Sequence, residues 1–185
     1  MRMALIARAG AFLGLAALAG CGRPAGAPAA AVPPARKAGL WEQSLTRDGK
    51  PGRLGALKIC LDATTDSKIG VFGRHFAKGD CQRSVARDAA GVYHFSSICT
   101  LENGGVARVM GTASGDFGSG YTVRSEINVS GAPLESMNGM HEIDIAAHYR
   151  GPCPENMRPG DVNLGSGLKV NMDRLPEIAK SLGGG

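Results

Sequence analysis

Apolar residues recur at every second position over much of this chain, the period of strands with one face toward a core and one toward water. Val123, Ile127 and Val129 alternate with Arg124, Glu126 and Asn128, and Ile143, Ile145, Ala147 and Tyr149 alternate with Asp144, Ala146, His148 and Arg150. Leu57-Lys58-Ile59-Cys60-Leu61 repeats the pattern, and Leu40 to Leu45, Val85 to Asp88, Val92 to Thr100 and Val106 to Ala113 bring the total to about seven strands. Turn residues separate them: Asp48-Gly49-Lys50-Pro51-Gly52, Asn103-Gly104-Gly105, Ser114 to Gly120 and Ser130-Gly131-Ala132-Pro133 tolerate positive φ or preset a turn. Links this short make sequence neighbours pair. The period turns helical at the end, where Leu175, Ile178, Ala179 and Leu182 follow Asp173, a candidate N-cap. The pattern predicts a mainly β fold: a curved antiparallel sheet or partly open barrel of about seven strands, with a short C-terminal helix.

The first twenty residues do not belong to that fold. Arg2 and Arg8 give a positive start, Ala9 to Ala19 is apolar but too short to span a bilayer, and Leu18-Ala19-Gly20-Cys21 resembles the processing site of bacterial lipoproteins. The resemblance implies removal of the signal peptide 1–20 and acylation of Cys21. Each buried CH₂ then contributes roughly 0.8 kcal/mol to membrane attachment. Gly22 stands where Asp resembles an inner-membrane retention signal, which places the anchor on the periplasmic face of the outer membrane. Gly22 to Pro34 is rich in Ala and Pro, so residues 21–36 read as an extended linker and residues 37–185 as a single domain.

Four further cysteines, Cys60, Cys81, Cys99 and Cys153, form an even set in a chain bound for an oxidising compartment, and two disulfides are expected. None of their spacings matches a zinc site. Strand parity puts Cys60 on the face of Lys58 and Cys99 on the face of Tyr93 and Phe95, which disfavours Cys60–Cys99 and its complement. Of the two remaining frameworks, Cys60–Cys81 with Cys99–Cys153 is favoured over Cys60–Cys153 with Cys81–Cys99, because it closes a compact loop and ties the last strand to the middle of the sheet.

Charge changes the picture only through its distribution. The net charge of +5 falls to +3 once Arg2 and Arg8 are removed. Arg36 to Arg87 carries eleven Lys/Arg against five Asp/Glu, whereas Asp88 to Gly185 carries seven against eleven. A basic half on a tethered domain suits anionic head groups or another anionic envelope polymer, but there is no dense run of like charge. Nucleic acid is not an expected partner at this location.

The segments Gly39-Leu40-Trp41-Glu42, Cys60-Leu61, Gly91-Val92-Tyr93, Gly151-Pro152-Cys153-Pro154 and Met157-Arg158-Pro159-Gly160-Asp161 follow one another in an order that resembles the domain of unknown function family 3617. Its members are small exported proteins of Gram-negative bacteria, and the resemblance covers about residues 37–172. It implies no activity, cofactor or catalytic residue.

Motifs that carry chemistry fail on spacing. His141-Glu142 lacks the second His of a zincin helix, since position 145 is Ile on a strand. Asp144 and His148 share a strand face but lie about 13 Å apart, too far for one metal. Gly111-Thr112-Ala113-Ser114-Gly115 displaces the Ser of a nucleophile elbow, and Gly115 to Gly120 lacks the Lys and helix of a phosphate loop. Trp41, the single Trp, reads as core. Ile69, Phe72 and Phe76 fall at near-helical spacing among Lys68, Arg74, His75 and Lys78, softened by Gly70 and Gly73. Lys68, Phe72, Arg74, Phe76 and Lys78 therefore form a candidate lid or ligand segment, or a cap on the core. No metal, cofactor or catalytic residue is assigned. The expected function is non-enzymatic binding of an amphipathic ligand or envelope partner by a lipid-anchored module. The alternative is an envelope hydrolase whose site, around His94, His141 or His148, assembles only in three dimensions.

Overall fold

The computed structural model describes residues 28–53, 55–72, 80–101, 104–165 and 168–174. The signal segment, Cys21, the loop residues Arg74, His75, Phe76 and Lys78, and the helical positions Leu175, Ile178, Ala179 and Leu182 lie outside them. The strands are β1 (Ala29–Ala30), β2 (Gly39–Arg47), β3 (Lys50–Pro51), β4 (Leu57–Leu61), β5 (Cys81–Arg87), β6 (Tyr93–Thr100), β7 (Val106–Asp116), β8 (Gly120–Ser130), β9 (Gly139–Gly151), β10 (Asp161–Asn163) and β11 (Lys169–Asn171). One helix, α1 (Ala63–Ile69), follows β4.

All the pairings are antiparallel, in the order β1-β5-β6-β7-β8-β9-β2-β4-β10-β11 with β3 beside β2. The outermost strands β1 and β11 do not meet, so the sheet is not closed. Among the described residues it has eleven strands, not about seven. The seven longer ones coincide with the periodic segments. β1, β3, β10 and β11 have two or three residues each, too few to display an alternation.

Where the period is clear, the packing follows it. On β8, Tyr121, Val123 and Ser125 are buried while Thr122, Arg124 and Glu126 are exposed, and the register sets Val123 opposite Ile145 and Tyr121 opposite Ala147. The buried face continues through Phe95, Ala113, Trp41, Ile59, Leu61 and Val162 into one core. Trp41 is wholly buried between Tyr121 (ring centroids 5.5 Å) and Tyr149 (5.7 Å), with its indole N–H donated to the Lys37 carbonyl at 2.8 Å. Gly39 has φ 137°, and a Cβ there would lie 2.6 Å from Tyr149 Cε2, so the glycine two residues before Trp41 lets that second ring in. Gly111 plays the same part beneath Phe95, whose Cζ would sit 2.6 Å from an added Cβ.

The linker departs from expectation. It is extended, but from Ala29 it is not a free stalk: Ala29 and Ala30 pair with Arg87 and Ala86, Arg36 is buried, and the Lys37 N–H bonds the Phe117 carbonyl at 3.0 Å. Residues 30–39 thus run from β1 to β2, six positions away in the sheet, about 29 Å at ordinary strand spacing. Nine extended residues reach about 30 Å, enough for a strap. Asp62 caps α1 by accepting the Thr65 N–H (2.7 Å), and Gly70 ends it at φ 63°. The helix therefore takes in Lys68 and Ile69, the start of the near-helical run, and Phe72 lies just beyond it.

The favoured cysteine framework is overturned. Cys60 bonds Cys153, and Cys81 bonds Cys99. Parity holds, since Cys60 lies opposite the Ile59 and Leu61 face and Cys99 lies on the core face. The preference for a compact local loop fails because the β5–β6 register sets Cys81 directly opposite Cys99, with Cα atoms 4.1 Å apart. Cys60 is wholly buried on the far face because the chain after β9 crosses it, fixed by Cys153 and by the Gly160 N–H on the Cys60 carbonyl at 2.8 Å. Peptide mapping without reduction is expected to recover these two pairs, and Cys60→Ser with Cys153→Ser to lower unfolding free energy by about 2–5 kcal/mol in denaturant titration. Recovery of Cys60–Cys81 would refute this register.

Candidate functional site

The strap, α1 and β8 meet at a buried ion pair. Arg36 Nε donates to Asp66 Oδ1 at 2.6 Å, the Arg36 backbone N–H donates to Oδ2 at 2.8 Å, and the two side chains are 2 % and 7 % exposed. Arg36 Nη1 donates to the Tyr121 hydroxyl oxygen (3.1 Å), which also accepts from Gln43 Nε2 (2.9 Å). Burial pushes the Tyr121 phenol above its ordinary value against the opposing pull of Arg36, so it stays protonated. Arg36 Nη2 is buried without a hydrogen-bond partner.

From Tyr121 aromatic rings continue across the same inner face. Phe117 stacks on Tyr121 at 5.0 Å and meets Tyr93 edge-on at 5.7 Å, while Phe72 stacks on Phe95 at 4.5 Å. Val71 is buried in the core, so the chain leaving α1 lies across the inner face of β6 to β8. Of the candidate lid residues, Phe72 is therefore in contact with the sheet. Lys68 points the other way, to Asp173 at 2.9 Å, with both side chains half exposed.

The histidines do not converge. His94 contacts Asp88 Oδ2 at 2.8 Å, but Asp88 also accepts the Val92 N–H, and both interactions hold its carboxyl below the usual range. His141 lies 3.4 Å from Asp48, whose other oxygen accepts the Glu142 N–H. His148 pairs in register with Glu42, which bonds Arg150 at 2.8 Å. These carboxylates organise turns and strand ends. Among the described residues no three His, Cys, Asp or Glu stand close enough to hold a metal ion. The segment Ser114 to Gly120 is the end of the β7–β8 hairpin, which turns at Phe117 to Ser119, where Asp116 accepts the Gly118 N–H and the Ser119 hydroxyl.

Two surface hollows lie elsewhere. One, about 480 Å³, crosses the outer face at His94, Thr112, Arg124, Glu126 and Glu142. The other, about 410 Å³, is lined by Arg158, Asp161, Lys169 and Asn171. In the latter, Asp161 accepts the Arg158 N–H and an Asn171 N–H, which with Lys169 hold its carboxyl below the ordinary range. That ties the Pro159-Gly160-Asp161 turn to β11.

Comparison with known proteins adds a family. The chain belongs to the family described as protein of unknown function (DUF3617), whose model matches residues 36–153, more than half of its length. No curated protein and no solved structure matches it.

Arg36 and Asp66 escaped the reading of the sequence. They are 30 positions apart, one at the end of an Ala/Pro-rich stretch and the other inside a helix that carries no clear period. No spacing rule joins them. Arg36→Leu leaves a buried unpaired carboxylate and is expected to cost about 3–5 kcal/mol, whereas Arg36→Leu with Asp66→Leu recovers most of that loss. Denaturant melts of both variants check the difference. Equal destabilisation would show that the pair is not coupled.

Proposed function

We propose that this protein is a non-enzymatic, lipid-anchored module of the bacterial cell envelope that binds an amphipathic ligand against the inner face of its sheet, beneath α1. One observation carries the reading: the Arg36 side chain, 2 % exposed and bonded to the Tyr121 phenol of the aromatic inner face, keeps Nη2 without a partner. A buried donor left unsatisfied costs about 1–3 kcal/mol, and a ligand oxygen would offset that cost. The neighbouring Phe72, Phe95, Tyr93 and Phe117 supply a surface for an alkyl chain. In this reading the unclosed sheet is a curved, partly open barrel. Lys68, Phe72, Arg74, Phe76 and Lys78 belong to its cover, and the C-terminal helix from Leu175 to Leu182 is a second cover. Cys21 anchors the module to the periplasmic face of the outer membrane, and the basic first half faces anionic partners.

The anchor is tested by fractionation. Cys21→Ser should release a processed, stable protein from membranes, and unchanged partitioning of that variant would sink the lipoprotein assignment. The ligand is tested by mass spectrometry of material that co-purifies with the protein. Phe72→Ala should weaken its capture about tenfold, equivalent to about 1.4 kcal/mol, without abolishing a cooperative melt. A wild-type protein that carries nothing, together with a variant that simply melts lower, would make the segment a cap on the core.

A further inference from the structure

We propose that Asp66 is an internal stand-in for the anionic head of the ligand, and that α1 is the lid that withdraws it. This rests on the binding reading above. An arginine side chain offers two parallel N–H bonds on one side, from Nε and one terminal nitrogen, a fork that one carboxylate fills with both oxygens. Asp66 fills it only in part. Its Oδ1 takes Nε, but its Oδ2 is spent on the Arg36 backbone N–H, and Nη2 is left buried and unpartnered. A carboxylate free of the helix meets both members of the fork and is the better partner.

The two sides of the pair differ in how firmly they are held. Arg36 is oriented by the Tyr121 oxygen on β8, itself fixed by Gln43 on β2, so the cation stays in place when Asp66 leaves. Asp66 rides on seven residues of helix, too few to persist alone. Besides Arg36, that helix is secured by its Asp62 cap, by buried Thr65 and by Ile69 packed at the margin of the core, while the half-exposed Lys68–Asp173 pair adds little. Gly70, at φ 63°, ends the helix where it must turn toward Phe72. The exchange conserves buried charge, with one cation and one anion before and one cation and one anion after. When the lid lifts, Phe72 parts from the Phe95 ring and an alkyl chain enters between the two rings. The ligand is therefore an alkyl chain headed by an oxyanion.

The test uses the mature chain carrying Cys21→Ser, so that no acyl chain of its own competes, with decanoate, decyl phosphate and decanol as probes below their aggregation concentrations. Asp66→Asn keeps the size of the side chain and removes its charge, and should tighten binding of one or both anions about tenfold while changing decanol by less than about threefold. The anion with the larger gain names the head group. Asp62→Ala loosens α1 without touching Arg36 and should strengthen the same anions, which keeps the question open to measurement if Asp66→Asn does not fold. A gain shared equally by decanol would overturn the stand-in. Wild-type binding that neither variant strengthens would overturn the lid and leave the binding reading standing. No binding by any of the three proteins would overturn both.

Discussion

The Arg36–Asp66 pair is the constraint on which the rest of this molecule turns. Removing a guanidinium or carboxylate charge from water costs several kcal/mol even after relaxation, so neither stays buried without an opposite charge beside it. Their union commits three separate pieces of chain. Arg36 fixes the end of the strap, Asp66 fixes α1 over the sheet, and the Arg36 bond to Tyr121 fixes both to β8. Because the pair is nearly dry, its geometry is stiff. The same dryness makes the unpaired Nη2 conspicuous, since no solvent is at hand to satisfy it.

Around that pair the inner face is built of aromatic rings whose positions are set by missing side chains. Gly39 admits Tyr149 toward Trp41, and Gly111 admits Phe95 flat against β7 and β8. Both are cases where a single Cβ would displace a ring, so the glycines serve packing and not flexibility. The face that results is largely apolar, with Arg36, Gln43, Asp66, Tyr121 and Ser125 among its polar groups. An apolar surface with a few convergent polar groups is the general form of a small-molecule site.

The residues that carry the family resemblance are architectural. Gly39 and Trp41 seed the core, Cys60 and Cys153 fasten the chain after β9 to the sheet, and Gly160 with Asp161 shapes the turn that returns it to β10. None of them hydrogen-bonds the unpaired guanidinium nitrogen. A signature made of scaffold residues marks the fold and leaves the ligand unnamed, which is why the chemistry here must be argued from Arg36 and Asp66.

Much of this fold was legible in the chain itself. Alternation on β8 and β9 specified which face is buried, because a residue cannot change face without shifting a whole register. Turn residues marked the hairpins, and Asp48 and Gly49 take the positive φ values their turn requires. Strand parity separated Cys60 from Cys99. Beyond that, tertiary structure decided. β1, β3, β10 and β11 are too short to show a period and exist only because a neighbour offers free backbone groups. The register of β5 against β6, not loop length, chose the cysteine partners. The strap and α1 took their places because two charges 30 residues apart had to leave water together. Local pattern encodes which side of an element meets the core, whereas a buried pair depends on distances between elements that no local pattern contains.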